Sequence, residues 1–140
     1  MKKLSIALAL GFFCALPVHA QSPADVFISI NSGVTQTQGL ALVLANQAVA
    51  QKASVRVLLC SEGGQLAVKG KESTALKPSN MTPKDMLQGL VKAGIKVEVC
   101  ALFLPNSDWK AADLIEGIGV AKPADIAEYV LQANVKTLTF

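Results

Sequence analysis

The sequence predicts a single three-layer α/β domain, with a mainly parallel sheet of about five strands and helices on both faces. Three observations carry this reading. Short β-rich runs alternate along the chain with stretches of helical spacing. The 140 residues leave room for one domain and little more. Apolar residues make up 51% of the chain, which suits a packed core and argues against disorder.

The elements follow in order. Val26-Phe27-Ile28-Ser29-Ile30 reads as the first strand, and Asn31-Ser32-Gly33 breaks it. Thr35 to Lys52 reads as a helix, with Leu40, Val43, Leu44 and Ala48 at helical spacing. Val55 to Leu59 is the second strand and ends at Cys60. Ser61-Glu62-Gly63-Gly64 is a turn, and Gln65 to Val68 is either a short strand or a helical turn. Lys69 to Asn80 is a loop, read either as a solvated connection or as a mobile, anion-contacting flap.

The next helix is the most sharply marked. Thr82 can cap it, Pro83 suits its first position, Asp85 completes a capping box, and Gly94 stops it. Met86, Leu87, Leu90 and Val91 form its apolar stripe. Ile95 to Cys100 follows as a strand that alternates Ile95, Val97 and Val99 against Lys96, Glu98 and Cys100. Asp108 to Glu116 reads as a helix capped by Ser107 or Asp108, Pro123 to Leu131 as another, and Val135 to Phe140 as a terminal strand. Sites in such sheets gather at the carboxyl ends of the strands, where both Cys60 and Cys100 stand.

The N-terminus reads as a targeting segment. Met1-Lys2-Lys3 is a positive start, Leu4 to Leu16 an apolar run, and Val18-His19-Ala20 a cleavage signature. The apolar run is shorter than the roughly 20 residues of a membrane-spanning helix. The expected organisation is a signal peptide over 1–20 and the domain over 21–140, periplasmic after cleavage and free of the membrane. Cys14, preceded by Phe12-Phe13, reads as part of the apolar run rather than as a lipid attachment site.

Cleavage removes the single histidine, His19. Ser-His-Asp and Cys-His catalysis and His-based metal sites leave with it. Cys60 and Cys100 alone are too few for a structural zinc site, so no metal or cofactor is expected. The net charge of +3 and an aromatic content of 5% argue against nucleic acid as a partner. In an oxidising compartment the two cysteines could instead form one disulfide.

Val97-Glu98-Val99-Cys100-Ala101-Leu102, following Lys92-Ala93-Gly94, resembles the conserved-cysteine segment of the DsrE/DsrF/TusD/YchN family. The likeness continues through Leu104-Pro105-Asn106-Ser107, Pro123-Ala124-Asp125-Ile126 and Leu138-Thr139-Phe140. It implies a DsrE-like α/β domain that assembles as a homo-oligomer, a trimer or hexamer. It also implies that Cys100 is the sulfur-carrying residue, handling sulfur or thiol-redox equivalents from a small sulfur-containing ligand or a thiol protein. The sequence departs from the sulfur-relay members in having Leu104-Pro105-Asn106-Ser107 where they carry a basic stretch, so a cation beside the thiol is missing from the motif. Lys110, brought back by its helix, or the helix N-terminus near Ser107 would have to replace it.

Each candidate has a second reading. Cys100 is either reactive or a buried apolar filler. Cys60 is either core filler or the partner that resolves a bond on Cys100. Glu62 and Glu98 are acid/base candidates, Glu98 being equally a solvated strand residue. Ser61 to Gly64 and Asn31 to Gly33 are candidate anion contacts or ordinary turns. Trp109 covers either a pocket or packed core, and Ala101 to Leu104 is either a subunit contact or core. The alternative to thiol chemistry is a non-catalytic oligomeric periplasmic module that binds a small ligand or acts as a scaffold.

Overall fold

The structure, a computed structural model, describes residues 24–140. The expected signal peptide, with Cys14 and His19, lies outside the described residues. Five strands form one sheet: β1 (Asp25–Ile30), β2 (Ser54–Leu59), β3 (Lys96–Val99), β4 (Gly119–Val120) and β5 (Val135–Thr139). They run in the order β4-β3-β2-β1-β5, and every pairing is parallel. Three α-helices cross between them: α1 (Thr35–Ala50), α2 (Pro83–Lys92) and α3 (Pro123–Val130). Among the described residues no helix is long and apolar enough to cross a membrane.

The two faces of the sheet are closed unequally. Ile28, Ile30, Val57, Leu59, Val97 and Val99 point to one side and are fully buried with Leu42 and Ala45 of α1 and Leu87 and Leu90 of α2. The other side carries a smaller cluster, Phe27, Leu58 and Ala121, roofed by Ile126, Tyr129 and Val130 of α3. This alternation is what the two-residue period of a strand demands when both faces are covered.

Helix α2 is built as its sequence predicts. The Thr82 hydroxyl accepts the Asp85 N–H at 3.0 Å, and the Asp85 carboxylate accepts the Thr82 N–H at 3.1 Å. The Thr82 hydroxyl, which donates to the same carboxylate at 2.7 Å, and then the Thr82 N–H hold the Asp85 carboxyl below its ordinary value. Gly94 takes φ +78°, the left-handed turn that glycine enters without a Cβ clash.

Two expectations need correction. Asp108 to Glu116 is not an α-helix; it holds one tight turn, Ala111–Asp113, whose Asp113 carboxylate accepts the Lys110 N–H at 2.8 Å. Leu114 is extended beyond it because it bridges to Val68, and the Ile115 N–H reaches the Ala67 carbonyl at 2.8 Å. This long-range pairing overrides the local helical pattern. In α1, Leu40, Val43 and Leu44 face outward, whereas Gln38, Ala41, Leu42 and Ala45 are buried. The helix is apolar on every side, so spacing alone could not choose its inner face. Strand β4 has only two residues and no sequence pattern to announce it. Of the two readings of Gln65 to Val68 the helical one holds: Gln65 to Ala67 close the 3₁₀ helix Ser61–Ala67, and Val68 leaves it extended.

The loop 69–80 is fastened to the domain. The Lys84 ammonium donates to the carbonyls of Val68 and Lys71, and burial lowers its pKa. Leu76 packs where Gly39 leaves room for it: a Cβ at Gly39 would stand 2.2 Å from the Leu76 side chain.

Candidate functional site

Strands β2 and β3 run side by side with Leu59 opposite Val99, so the next residue of each, Cys60 and Cys100, are neighbours at the carboxyl edge. The Cys100 N–H donates to the Leu59 carbonyl at 2.8 Å, and the Cys60 N–H to the Ile30 carbonyl at 2.9 Å. The usual strand spacing of about 4.8 Å falls within the roughly 4.4–6.8 Å Cα separation that a disulfide spans. Both cysteines are free and half-buried.

The two thiols are not equivalent. Burial pushes the Cys60 pKa up to about 12, helped by its hydrogen bond to Cys100 and by the charge Cys100 acquires on ionising. Cys60 therefore keeps its proton at neutral pH.

Both sulfurs open on one cleft of about 580 Å³, whose walls include Ser61, Glu62, Gln65, Phe103, Asn106 and Trp109. Tight backbone packing shapes its floor. A Cβ on Gly63 would lie 2.2 Å from the Ile30 carbonyl oxygen, and one on Gly64 would lie 2.3 Å from the Phe103 ring. The Gly63 and Gly64 N–H groups donate to the carbonyls of Asn31 and Cys60. These amides are therefore not free to cradle an anion, and the glycines serve close packing. Ser61, directly after Cys60, has φ +48°, an uncommon left-handed conformation for a residue with a side chain.

A second cavity of about 430 Å³ adjoins the cleft and shares Glu62 and Gln65 with it. It reaches Gly33 and Gln38 at the start of α1 and Lys71 and Lys84 of the fastened loop region. Sequence reasoning did not connect Lys71 with Cys100. Its ammonium stands 5.8 Å from the centre of the Trp109 ring, at the cleft wall.

Other candidates fall elsewhere. Glu98 is neither solvated nor in the cleft; it is buried and holds Arg56. The helix expected to start near Ser107 is absent, so no helix dipole acts on Cys100 from there. Lys110 does not line the cleft; its N–H is held by Asp113. Of the apolar run, Phe103 is buried in the chain's own core and Leu102 is 73% exposed. Among the described residues no group of three His, Cys, Asp or Glu is placed to hold a metal ion.

The sequence matches no family model and no curated protein. Solved structures match the fold. The crystal structure of ychN protein from E. coli superposes with a TM-score of 0.66 at 20% identity, covering 84% of this chain and 99% of that one. A protein of unknown function, MTH1491 from Methanobacterium thermoautotrophicum, superposes with a TM-score of 0.63 at 16% identity, covering 84% and 99%. The five-stranded parallel sheet, the helices on both its faces and these superpositions together show that the chain shares the fold of these two proteins.

Proposed function

We propose that this chain is an exported thiol protein in which Cys100 takes up sulfur or oxidising equivalents and Cys60 resolves the bond formed on it. The supporting observation is the placement of the two cysteines side by side on adjacent strands, on one open cleft, with Cys60 held as a thiol. The Cys100 thiolate attacks one sulfur of a disulfide, displaces the other as thiolate and becomes a mixed disulfide. With a polysulfide as the donor, Cys100 keeps the attacked sulfur as a persulfide and a shortened polysulfide departs. Cys60 then attacks the Cys100 sulfur, giving a Cys60–Cys100 disulfide and releasing the group that Cys100 carried. The Cys60 proton leaves with that group.

Mass spectrometry after incubation with a polysulfide donor tests this. The reduced protein gains sulfur mass on Cys100 or loses two hydrogens as the disulfide forms, and Cys100→Ser does neither. A native protein that behaves like Cys100→Ser sinks the proposal and leaves a non-catalytic binding module.

The assembly we propose is a homo-oligomer. Leu40, Val43 and Leu44 form an outward apolar stripe on α1, the kind of surface that a subunit contact covers. The periplasm is the proposed compartment, on the strength of the pattern over 1–20.

A further inference from the structure

Cys100 lines two cavities, one with several polar side chains in its walls and one with almost none. On one side is the cleft shared with Cys60, whose walls carry Ser61, Glu62, Gln65, Asn106 and Ser107. On the other, between the sheet and α3, lies a pocket of about 300 Å³ walled by Leu58, Leu102, Ala121, Pro123, Ile126 and Ala127. Among the described residues, Cys100 is the one side chain in that wall with a heteroatom.

We propose that this pocket selects the substrate: low-molecular-weight disulfides that carry a small aryl or alkyl group on the sulfur Cys100 attacks. The inference rests on the thiol reading above and names its substrate class. An apolar cavity of about 150 Å³ already holds a benzene ring, so this one has room for a benzyl or butyl group. A carboxylate or ammonium placed there would lose its water and find no hydrogen-bonding side chain in exchange. The opposite chamber is the larger and offers Ser61, Gln65, Asn106 and Ser107 as hydrogen-bonding groups for a departing thiolate.

The reaction balances without a further reagent. The Cys100 thiolate attacks R–S–S–R′ at the sulfur bearing the apolar R, a new S–S bond forms, and R′–S⁻ leaves through the cleft. Cys60, losing its proton, attacks the Cys100 sulfur and R–S⁻ leaves. One disulfide is reduced to a thiol and a thiolate, the two cysteines are oxidised to one disulfide, the Cys60 proton goes to one departing sulfur, and the other carries away the charge that Cys100 brought.

The test uses benzyl, butyl, methyl and carboxyethyl 2-pyridyl disulfides, which share one chromophoric leaving group. Cys60→Ser keeps the mixed disulfide on Cys100, where mass spectrometry locates it. The benzyl-to-carboxyethyl rate ratio is expected to exceed the same ratio for N-acetylcysteine by about 10-fold or more, the discrimination typical of an apolar pocket. Ala127→Glu, at an exposed position of α3, and independently Leu102→Asp, at the exposed rim, bring that ratio back toward the free-thiol value, with melting curves reporting that each variant folds. A ratio equal to that of N-acetylcysteine overturns the selectivity and leaves the thiol function standing. No reaction with any probe, the methyl one included, overturns both.

Discussion

Arg56 places two of its nitrogens, at 2.7 and 2.9 Å, on a single carboxylate oxygen of Glu98, beneath the Tyr129 ring. The pair joins β2 to β3 on the face that only α3 covers, four residues before Cys60 and two before Cys100. The guanidinium also reaches the Asp125 carbonyl at 3.4 Å, tying α3 to the sheet. Both side chains are about nine-tenths buried, so removing one partner strands a charge. Glu98→Leu alone is expected to destabilise the protein by about 3 kcal/mol, a fall in Tm of roughly 10 °C or more. Arg56→Met combined with Glu98→Leu is expected to recover most of the loss, because no charge is left unpaired. Thermal melts of both variants check this; a double variant as weak as the single would show that the pair itself supplies the stability.

Alkaline pH is expected to weaken the fold through Cys60. Its folded pKa is raised to about 12 from 9.0, mainly by burial. An acid whose pKa rises on folding keeps its proton longer in the native state. The unfolded chain then binds fewer protons between pH 9 and 12, and stability falls as pH climbs through that window. Tyr129, also raised by burial, adds to the fall, while Lys84, lowered by burial, opposes it. Urea midpoints of the reduced protein at pH 7, 9 and 10.5, compared with those of Cys60→Ala, isolate the cysteine. Parallel curves would remove Cys60 from the account.

Gly64→Ala is expected to disturb the cleft as well as the stability. The added methyl would meet the Phe103 ring at 2.3 Å, and Phe103 is itself buried in the main core. Overpacking of this kind costs about 1–3 kcal/mol. Because the Gly64 N–H bonds the Cys60 carbonyl, the strain falls beside the sulfur pair. Denaturant titration reports the loss. The alkylation rate of Cys100 should change with it, whereas a methyl placed at Gly89, where nothing lies within 4 Å, should leave that rate alone.

Val43→Glu is expected to dissociate the proposed oligomer without unfolding it, since the residue is 44% exposed in the single chain. Sedimentation of the native protein as a monomer would refute the association.

Much of this architecture was legible in the residues, for identifiable reasons. Helix α2 announces itself because its cap, stripe and stop are all local signals: Thr82, Asp85, Leu87, Leu90 and Gly94 suffice. The strands β1 and β2 read clearly because each is a largely apolar run ended by polar or small residues, and β3 because Ile95, Val97 and Val99 alternate with Lys96 and Glu98. What stayed hidden depends on distant partners. Leu114 is extended because Val68 pairs with it, Glu98 is buried because Arg56 stands on the next strand, and α1 conceals its inner face because every face is apolar. The sequence put Cys60 and Cys100 at the right edge. That they are neighbours follows from the order β4-β3-β2-β1-β5, which no local pattern encodes.

The adjacency of the two strand ends carries a mechanical consequence. The ladder between β2 and β3 already holds the backbones of Cys60 and Cys100 at bridging range, so joining their sulfurs asks for little travel by either segment. On the proposed chemistry the fold would alternate between its dithiol and disulfide forms with an almost unchanged outline. A partner that distinguishes charged from discharged protein would have to sense the sulfur atoms themselves, because the surrounding contour stays the same.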